Sequence, residues 1–188
     1  MNLLHRYLCR SGRWKTTLEQ YVLPWTLDGV DLGGNVLEVG PGPGLTTDVL
    51  QPRAGQLTCV EIDRKLARSL AGRMTQKNVT VLNEDATSMS LASGSFDTAV
   101  CFTMLHHVPS PELQDKLIAE VARVLRAGGV FAGTDTLDGG FFFHALHWFD
   151  TLVPVDPHTF PARLEAAGFR DVRVDVNPYA FRFWGRKG

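Results

Sequence analysis

One stretch of this 188-residue chain decides its fold: Val36-Leu37-Glu38-Val39-Gly40-Pro41-Gly42-Pro43-Gly44-Leu45-Thr46-Thr47. The apolar residues before Gly40 are typical of a strand covered on both faces of a parallel sheet. Glycine at alternate positions permits positive φ angles and lets a ligand approach bare backbone. Leu45 to Leu50 can then open a helix whose first N–H groups lack partners within the helix. The stretch therefore predicts a strand, a loop and a helix arranged to hold a nucleoside-like ligand.

The glycine loop alone leaves two interpretations open, a ligand cradle and a tight strand-to-helix turn that holds nothing. Its spacing from Gly40 to Gly44 is G-x-G-x-G, whereas dinucleotide-binding loops read G-x-G-x-x-G. Glu38 precedes the loop by two residues, where a carboxylate would repel pyrophosphate and attract a cationic amine. The loop thus favours a zwitterionic or cationic ligand over a dinucleotide.

Length and composition predict a single domain over residues 1–188, because the chain is too short for two ordinary domains. Hydrophobic residues make up 44% and charged residues 21%, and the net charge of -1 does not indicate nucleic-acid binding. The first 18 residues are basic, with Arg6, Arg10, Arg13 and Lys15 and no acid. A solvated helix face explains this charge, and weak contact with a membrane surface or an anionic substrate is the alternative.

The three cysteines are odd in number and widely spaced, which excludes a disulfide framework and a C-x-x-C site. The N-terminus lacks the apolar stretch of a signal peptide, and no run approaches the roughly 18 apolar residues of a membrane span. A cytoplasmic location and no transmembrane segment are therefore expected.

Hydrophobic patterning predicts an α/β fold along the chain. Residues 1–30 have a helical period that stops near Pro24, and two alternating strands around Asn177-Pro178 suit an antiparallel hairpin. The remaining predicted strands lie near 35–40, 57–62, 79–82, 96–102 and 129–135, with helices near 45–51, 64–74, 110–126 and 158–167. The prediction is a Rossmann-like, mostly parallel seven-stranded sheet with an antiparallel C-terminal edge hairpin and helices on both faces.

Acidic residues follow successive strands of this sheet. Glu61 ends the second strand about 20 residues after the loop, where a carboxylate can accept both hydrogen bonds of a ribose diol. The third strand leads to Glu84-Asp85-Ala86, and the fourth leads to Thr103 and the pair His106-His107. Ligands of open α/β sheets bind outside the carboxyl ends of the strands, so these groups are expected at one site.

Five segments, in order, resemble the class I S-adenosylmethionine-dependent methyltransferases, in the small-molecule branch with a methyltransferase type 11 domain. The resemblance covers roughly residues 33–136, and 181–187 looks like that family's last strand. The five segments are Leu37 to Gly44, Val60-Glu61-Ile62-Asp63, Glu84-Asp85-Ala86, Ser95 to Val108, and Glu120 to Gly129. Residues 33–136 would then form the cofactor-binding core, and 137–188 the acceptor-side segment and hairpin.

The resemblance implies S-adenosyl-L-methionine as cofactor, with S-adenosyl-L-homocysteine as product. The residues it assigns to the methionine part are Glu38, Gly40, Pro41, Gly42 and Gly44, and Thr103 lies on the methionine side. It assigns Glu61 to the ribose. The adenine is assigned to Asp85 and Ala86, with Ile62 against the adenine face. Ile62 could equally be a core residue. Asp63 is interpreted as a helix N-cap, and Asp97 and Asp135 as structural residues.

The segment from Glu38 to Asp63 also resembles the ribosomal RNA adenine dimethyltransferases, which share its glycine-proline loop and its Glu-Ile-Asp run. Those enzymes carry an Asn-Leu-Pro-Tyr type of sequence after the fourth strand, which holds a flipped adenine. This chain has Thr103-Met104-Leu105-His106 there. Its near-neutral charge agrees in disfavouring RNA methylation, and no nucleic-acid partner is expected.

Methyl transfer requires chiefly alignment, and a general base helps only when the acceptor must lose a proton. His106 and His107 are the catalytic candidates, with a loop hydrogen bond as the alternative role. No metal site is predicted, since His144 and His147 lack a third ligand. The aromatic residues of 137–160 and the N-terminal helix are expected to wall an apolar acceptor pocket, unless those aromatics cover core or a dimer surface.

The leading hypothesis is an S-adenosylmethionine-dependent methyltransferase that acts on a small, apolar molecule. The alternative is a non-catalytic module that binds S-adenosylmethionine or S-adenosylhomocysteine. An NAD-dependent oxidoreductase is disfavoured by the loop spacing and by the lack of a Tyr-x-x-x-Lys pair. The sequence does not specify the acceptor atom or the oligomeric state.

Overall fold

The computed structural model describes residues 12–139 and 150–188, and its N-terminal part is helical. Helix α1 spans Gly12–Thr17, a π-helical turn spans Leu18–Val22, and α2 spans Leu23–Thr26. The helical period was predicted to stop near Pro24, and the helix ends close to that position, at Thr26. Pro24 lies in the first turn of α2, where its missing N–H is not required, so the helix continues to Thr26.

Within residues 27–139 and 150–188, the structure has seven strands and four further helices. The strands are β1 (Asn35–Val39), β2 (Gln56–Val60), β3 (Val79–Leu82), β4 (Phe96–Phe102), β5 (Leu125–Thr136), β6 (Phe169–Val176) and β7 (Ala180–Lys187). The helices are α3 (Leu45–Leu50), α4 (Arg64–Arg73), α5 (Pro111–Val124) and α6 (Phe160–Ala166), with 3-10 turns at Gln51–Arg53 and Leu105–His107.

The strands form one sheet in the order β3-β2-β1-β4-β5-β7-β6. The first five are parallel, whereas β7 pairs antiparallel with both β5 and β6. This confirms the predicted mostly parallel sheet with an antiparallel C-terminal edge. Strands β2 and β4 flank β1 on opposite sides, so the chain switches direction there, and ligands of such sheets bind at the carboxyl ends beside the switch.

Two hydrophobic cores cover the two faces of the sheet, and alternate residues of β1 enter them. Leu37 packs in the core that contains α5 and α6, whereas Val36 packs in the core that contains Leu23, Leu50 and Leu70. Both faces therefore carry helices, as the apolar run of β1 predicts. In the part of the chain described here, no helix combines the length and the apolar character needed to span a membrane.

Strand β5 begins earlier than predicted, at Leu125, directly after α5. The register between β4 and β5 shifts between Phe96 and Thr98, and Gly128 within the shifted segment has a φ of 75°. Gly128 and Gly129 accommodate this irregularity within the strand.

Asp97 connects β4 to the start of β1. Its Oδ2 accepts hydrogen bonds from the N–H groups of Gly34 (2.9 Å) and Asn35 (2.8 Å), and its Oδ1 accepts one from Nε of Arg126 at 2.5 Å. The hydrogen bond from Arg126 is the main cause of a lowered pKa of Asp97. These contacts confirm the predicted structural role.

Candidate functional site

The glycine loop between β1 and α3 uses positive φ at three positions: 67° at Gly40, 55° at Gly42 and 84° at Gly44. A Cβ at Gly44 would lie 2.3 Å from Cδ1 of Leu70, and a Cβ at Gly40 would lie 3.0 Å from Cε of Met104. At Gly42 a Cβ would meet no atom of the described residues within 4 Å. Gly40 and Gly44 are therefore required by close packing, whereas Gly42 faces open space where a ligand can approach the backbone.

Glu61, directly after β2, braces this loop. Its Oε2 accepts a hydrogen bond from the N–H of Gly42 at 2.9 Å, and its Oε1 accepts one from the N–H of Asp63 at 2.8 Å. The side chain is buried, and burial raises its pKa despite these two bonds. Each carboxylate oxygen can accept a further hydrogen bond, so the group can serve both the loop and a ligand.

Ile62 follows Glu61 and is 69% exposed. Asn83 holds this strand end in place, because its Nδ2 donates to the carbonyls of Glu61 (2.9 Å) and Ile62 (3.0 Å). The interpretation of Ile62 as a core residue is thus wrong. An apolar side chain held at the carboxyl edge of a sheet offers a surface on which a flat ring can rest.

Asp63 caps helix α4. Its Oδ1 accepts hydrogen bonds from the N–H groups of Lys65 (2.8 Å) and Leu66 (3.1 Å). The sequence-based interpretation of this residue as an N-cap is confirmed.

Asp85 and Ala86 lie in the turn after β3. Oδ1 of Asp85 accepts a hydrogen bond from the N–H of Thr87 at 2.8 Å. Among the described residues, neither Oδ2 of Asp85 nor the N–H of Ala86 has a hydrogen-bond partner. One acceptor and one neighbouring donor are therefore available together, as recognition of the edge of an adenine requires.

Glu38 lies in β1 with 1% of its surface exposed. It accepts hydrogen bonds from the hydroxyls of Thr46 and Thr47 (2.6 Å to the latter), and the Cys59 thiol lies 3.5 Å from it. Burial raises its pKa, and the hydroxyl hydrogen bonds act in the opposite direction. The structure thus places Glu38 as a link between β1 and the first turn of α3, and its contact with a ligand stays a prediction.

Thr103 directly follows β4 and has a φ of 49°, an unusual value for a residue other than glycine. Its N–H donates to the carbonyl of Thr134 at 2.8 Å, and the next residue, Met104, packs against Gly40. Strain of this kind is often found at functional sites. The contact of Met104 with the loop was not predicted, because nothing in the sequence relates these two positions.

His106 is buried and paired with Asp135 of β5. Asp135 accepts a hydrogen bond from the N–H of His106 at 3.0 Å through Oδ2, and its Oδ1 is hydrogen-bonded to Nδ1 of the His106 ring. Because a carboxylate accepts, we assign the ring proton to Nδ1, which makes Nε2 the basic nitrogen. Asp135 was interpreted as structural, and the structure shows that it also orients a candidate catalytic ring.

His107 has a different environment from its neighbour. Its ring centroid lies 4.2 Å from that of His106, but its Nδ1 lies 3.1 Å from the carbonyl oxygen of Thr151. This contact is the loop hydrogen bond that was the alternative role for the pair. The two histidines are therefore not equivalent, and His106 is the better candidate for proton transfer.

Several predicted features lie outside the described residues. They are Arg6 and Arg10 of the basic segment, and Phe141, Phe142, Phe143, His144, His147, Trp148 and Phe149 of the predicted acceptor wall.

The pH dependence of stability tests the buried state of Glu38. The pKa of this carboxyl is higher in the folded state than its ordinary value of 4.5, so the folded protein binds the proton more tightly than the unfolded chain. The free energy of unfolding therefore falls as pH rises from 4.5 through the raised pKa. The melting temperature of Glu38→Gln minus that of wild type should therefore be larger at pH 8 than at pH 5, by about 2 °C or more. The measurement is thermal unfolding across this range.

Glu120→Gln is the matched control for that experiment. The hydrogen bond from Arg123 lowers the pKa of Glu120, so its contribution to stability is complete above pH 4.5. The difference between Glu120→Gln and wild type should be flat from pH 5 to 8. An equally flat difference for Glu38→Gln would contradict the raised pKa.

Comparison with known proteins agrees with this geometry. A family model described as a methyltransferase domain matches residues 37–133, just over half of the chain. The fold is similar to that of a SAM-dependent methyltransferase from Aquifex aeolicus, with a TM-score of 0.77, 20% identity and full coverage of both chains. A SAM-dependent methyltransferase from Archaeoglobus fulgidus gives a TM-score of 0.72 at 19% identity, covering 97% of this chain and 94% of that one.

Curated relatives match a shorter part of the chain. Ribosomal RNA small subunit methyltransferase A of Streptococcus pneumoniae is 35% identical over 88 residues, which is 46% of this chain and 27% of the relative. The protein of the same name from Fusobacterium nucleatum is 36% identical over 66 residues, 35% of this chain and 25% of the relative. The chain thus matches only about a quarter of the length of these relatives.

Proposed function

The chain belongs to the methyltransferase domain family whose model matches residues 37–133, and from this membership we propose that it transfers a methyl group from S-adenosylmethionine to a small, apolar molecule. The observation that carries the proposal is the row of ligand-ready groups along the carboxyl edge of the sheet. Among the described residues, Gly42 faces open space, Ile62 is exposed, and Asp85 and Ala86 hold an unused acceptor and donor. Packing among these residues explains none of these features.

The residues present fit the cofactor part by part. Glu61 would accept hydrogen bonds from the ribose hydroxyls, and Ile62 would cover a face of the adenine. Asp85 Oδ2 would accept from the exocyclic amine, while the N–H of Ala86 would donate to a ring nitrogen. The methionine part would lie along Gly40, Pro41, Gly42 and Gly44, close to Thr103, with the buried carboxyl of Glu38 behind the loop.

When bound, S-adenosylmethionine supplies a methyl group on a sulfonium sulfur, from which it passes to an acceptor atom by in-line displacement. The chain mainly has to align the acceptor. His106 adds a base, because Asp135 holds the proton on Nδ1 and leaves Nε2 to take a proton from a hydroxyl or phenol acceptor. An acceptor that carries no such proton would not need this step.

The acceptor class is proposed from the segments that flank the cofactor core. The sequence of 137–160 is rich in aromatic residues and poor in basic ones, and the whole chain carries a net charge of -1. Apolar walls with few polar groups suit a small apolar molecule.

RNA is the second candidate acceptor, because the curated relatives are named ribosomal RNA methyltransferases. The residues after β4, Thr103-Met104-Leu105-His106, differ from the polar and aromatic sequence expected for a flipped adenine. A non-catalytic module that binds the cofactor is the third candidate.

Labelled S-adenosylmethionine separates the three candidates. Incubation with a metabolite extract should transfer label to the small-molecule fraction, and transfer to purified RNA should stay at the level without enzyme. Label in RNA alone would overturn the acceptor class. Binding of S-adenosylhomocysteine without transfer to either fraction would indicate a binding module.

Two glycine variants test the cradle. In Gly42→Ala the new methyl group enters open space, so the protein should fold with a loss of about 1–2 kcal/mol from the positive φ, yet bind S-adenosylhomocysteine at least tenfold more weakly. Gly44→Ala adds a clash with Leu70 and should lower the melting temperature further. Calorimetric titration and thermal unfolding measure both effects, and wild-type affinity in Gly42→Ala would contradict the proposed position of the cofactor.

A further inference from the structure

The carbonyl groups of the glycine loop are held by Arg73, the last residue of α4. Nη2 of Arg73 donates to the carbonyl of Gly44 at 2.9 Å and to that of Pro43 at 3.2 Å. Nη1 of the same side chain donates to Oδ1 of Asp48, in the first turn of α3, at 2.5 Å. One guanidinium group thus contacts three points along the loop and the helix that follows it.

The ion pair with Asp48 does not by itself explain this arrangement. The side chain of Arg73 is 43% exposed and that of Asp48 is 32% exposed, and ion pairs in contact with water contribute little to stability. The hydrogen bonds to the two carbonyls use the planar fork of the guanidinium group, which the ammonium group of a lysine lacks. The contacts with the loop are therefore the distinctive feature of Arg73.

Gly44 leaves the space that this guanidinium group occupies. A Cβ at Gly44 would lie 2.5 Å from Nη2 of Arg73, in addition to its clash with Leu70. The N–H of Gly44 closes the turn of the loop by donating to the carbonyl of Pro41 at 2.9 Å. The absence of a side chain at Gly44 therefore serves both the positive φ of the turn and the approach of Arg73.

The segment from Glu61 to Arg73 holds both halves of the loop. Glu61, which accepts a hydrogen bond from the N–H of Gly42, lies two residues before the N-cap of α4, and Arg73 ends that helix. The buried residues that anchor α4 to the core are Leu66, Ala67 and Leu70. One anchored element thus holds the first half of the loop through an acceptor and the second half through a donor.

We infer that Arg73 is a positioning residue for the cofactor, because it holds the glycine loop in its binding conformation before S-adenosylmethionine arrives. This inference rests on the proposed function. A loop with three glycines loses much conformational freedom when it becomes ordered, and a ligand that must itself order the loop binds more weakly. The contacts of Arg73 are with the loop, so its effect is on the affinity for the cofactor.

Arg73→Met keeps an unbranched apolar side chain and removes the guanidinium group. Calorimetric titration well below the melting temperature should show S-adenosylhomocysteine bound about tenfold more weakly or worse, because two hydrogen bonds that order the loop are lost. Arg73→Lys keeps the charge beside Asp48 without the fork, and its affinity should fall by about threefold or more.

Arg68→Met is the matched control for Arg73→Met. Arg68 is exposed on the same helix, and it forms no hydrogen bond or ion pair with residues 12–139 and 150–188. Its affinity for S-adenosylhomocysteine should stay within about twofold of wild type.

Hydrogen exchange of the free protein separates a positioning role from a structural one. The N–H of Gly44 should exchange about tenfold faster or more in Arg73→Met, because the loop opens more easily, whereas the amides of β4 should exchange as in wild type. A merely structural role would lower the melting temperature and leave both the exchange of Gly44 and the affinity of the folded protein unchanged.

The outcomes distinguish this inference from the proposed function. If wild type binds S-adenosylhomocysteine and Arg73→Met binds it equally well, the inference is wrong and the proposed function stands. The same conclusion follows if the exchange of Gly44 is unchanged, or if Arg68→Met loses as much affinity as Arg73→Met. A wild-type chain that does not bind S-adenosylhomocysteine would overturn the proposed function and this inference with it.

Discussion

Glu61→Ala is expected to weaken binding of S-adenosylhomocysteine by about 100-fold or more. Two hydrogen bonds from ribose hydroxyls to a carboxylate each contribute about 1.5–3 kcal/mol, and 1.4 kcal/mol corresponds to a tenfold change in affinity. The substitution also removes the acceptor that holds the N–H of Gly42, so the loop would lose its brace at the place where the ligand approaches. Isothermal titration calorimetry measures the effect directly.

Two control variants separate loss of the ribose contact from loss of structure. Glu61→Gln keeps one oxygen acceptor but replaces the other with an amide donor, so its affinity should fall between those of wild type and Glu61→Ala. Glu84→Ala removes a carboxylate near the end of β3 whose hydrogen-bond partner among the described residues is Ser90, and its affinity should stay within about twofold of wild type. A Glu61→Ala protein that folds and binds like wild type would contradict the cofactor site.

The parts of the site that could be predicted from sequence are those placed by strand ends. Glu61 and Asp85 follow directly on strands that their apolar residues make recognisable, and parallel strands bring their carboxyl ends to one edge. Their approximate position therefore required no knowledge of which strand neighbours which. The spacing of the glycines likewise predicted the loop, because few residues other than glycine adopt a positive φ.

Contacts between distant segments could not be predicted in the same way. The pair of His106 and Asp135 joins residues 29 positions apart and depends on the register of β4 against β5, which contains an irregularity. Met104 reaches Gly40 only because β4 lies beside β1. Such contacts depend on strand order and register, and neither is encoded in a local pattern.

Glu38 shows how local polar groups change an expectation drawn from position alone. A carboxylate two residues before the loop was expected to face a cationic amine. The hydroxyls of Thr46 and Thr47, in the first turn of α3, are near enough to bond it, and its burial is complete. Two adjacent threonines at a helix start were the available signal, because a buried carboxylate requires donors and short hydroxyl side chains supply them.

The Asp135→Asn variant tests whether His106 acts as a base. It is expected to lower the rate of methyl transfer about 100-fold or more. Its affinity for S-adenosylhomocysteine should change by less than about twofold. The Asn amide can donate to Nδ1, which would move the ring proton to Nε2 and remove the basic nitrogen, and general bases contribute about 100-fold to 10,000-fold. Transfer of labelled methyl groups to the small-molecule fraction gives the rate, and ¹⁵N NMR of the imidazole reports the tautomer without any acceptor.

The matched control is Asp97→Asn, which alters a structural aspartate on β4 and should lower the melting temperature with the His106 tautomer unchanged. If Asp135→Asn moves the proton to Nε2 and methyl transfer continues at the wild-type rate, then His106 is not the base and the acceptor reacts without proton removal by this ring.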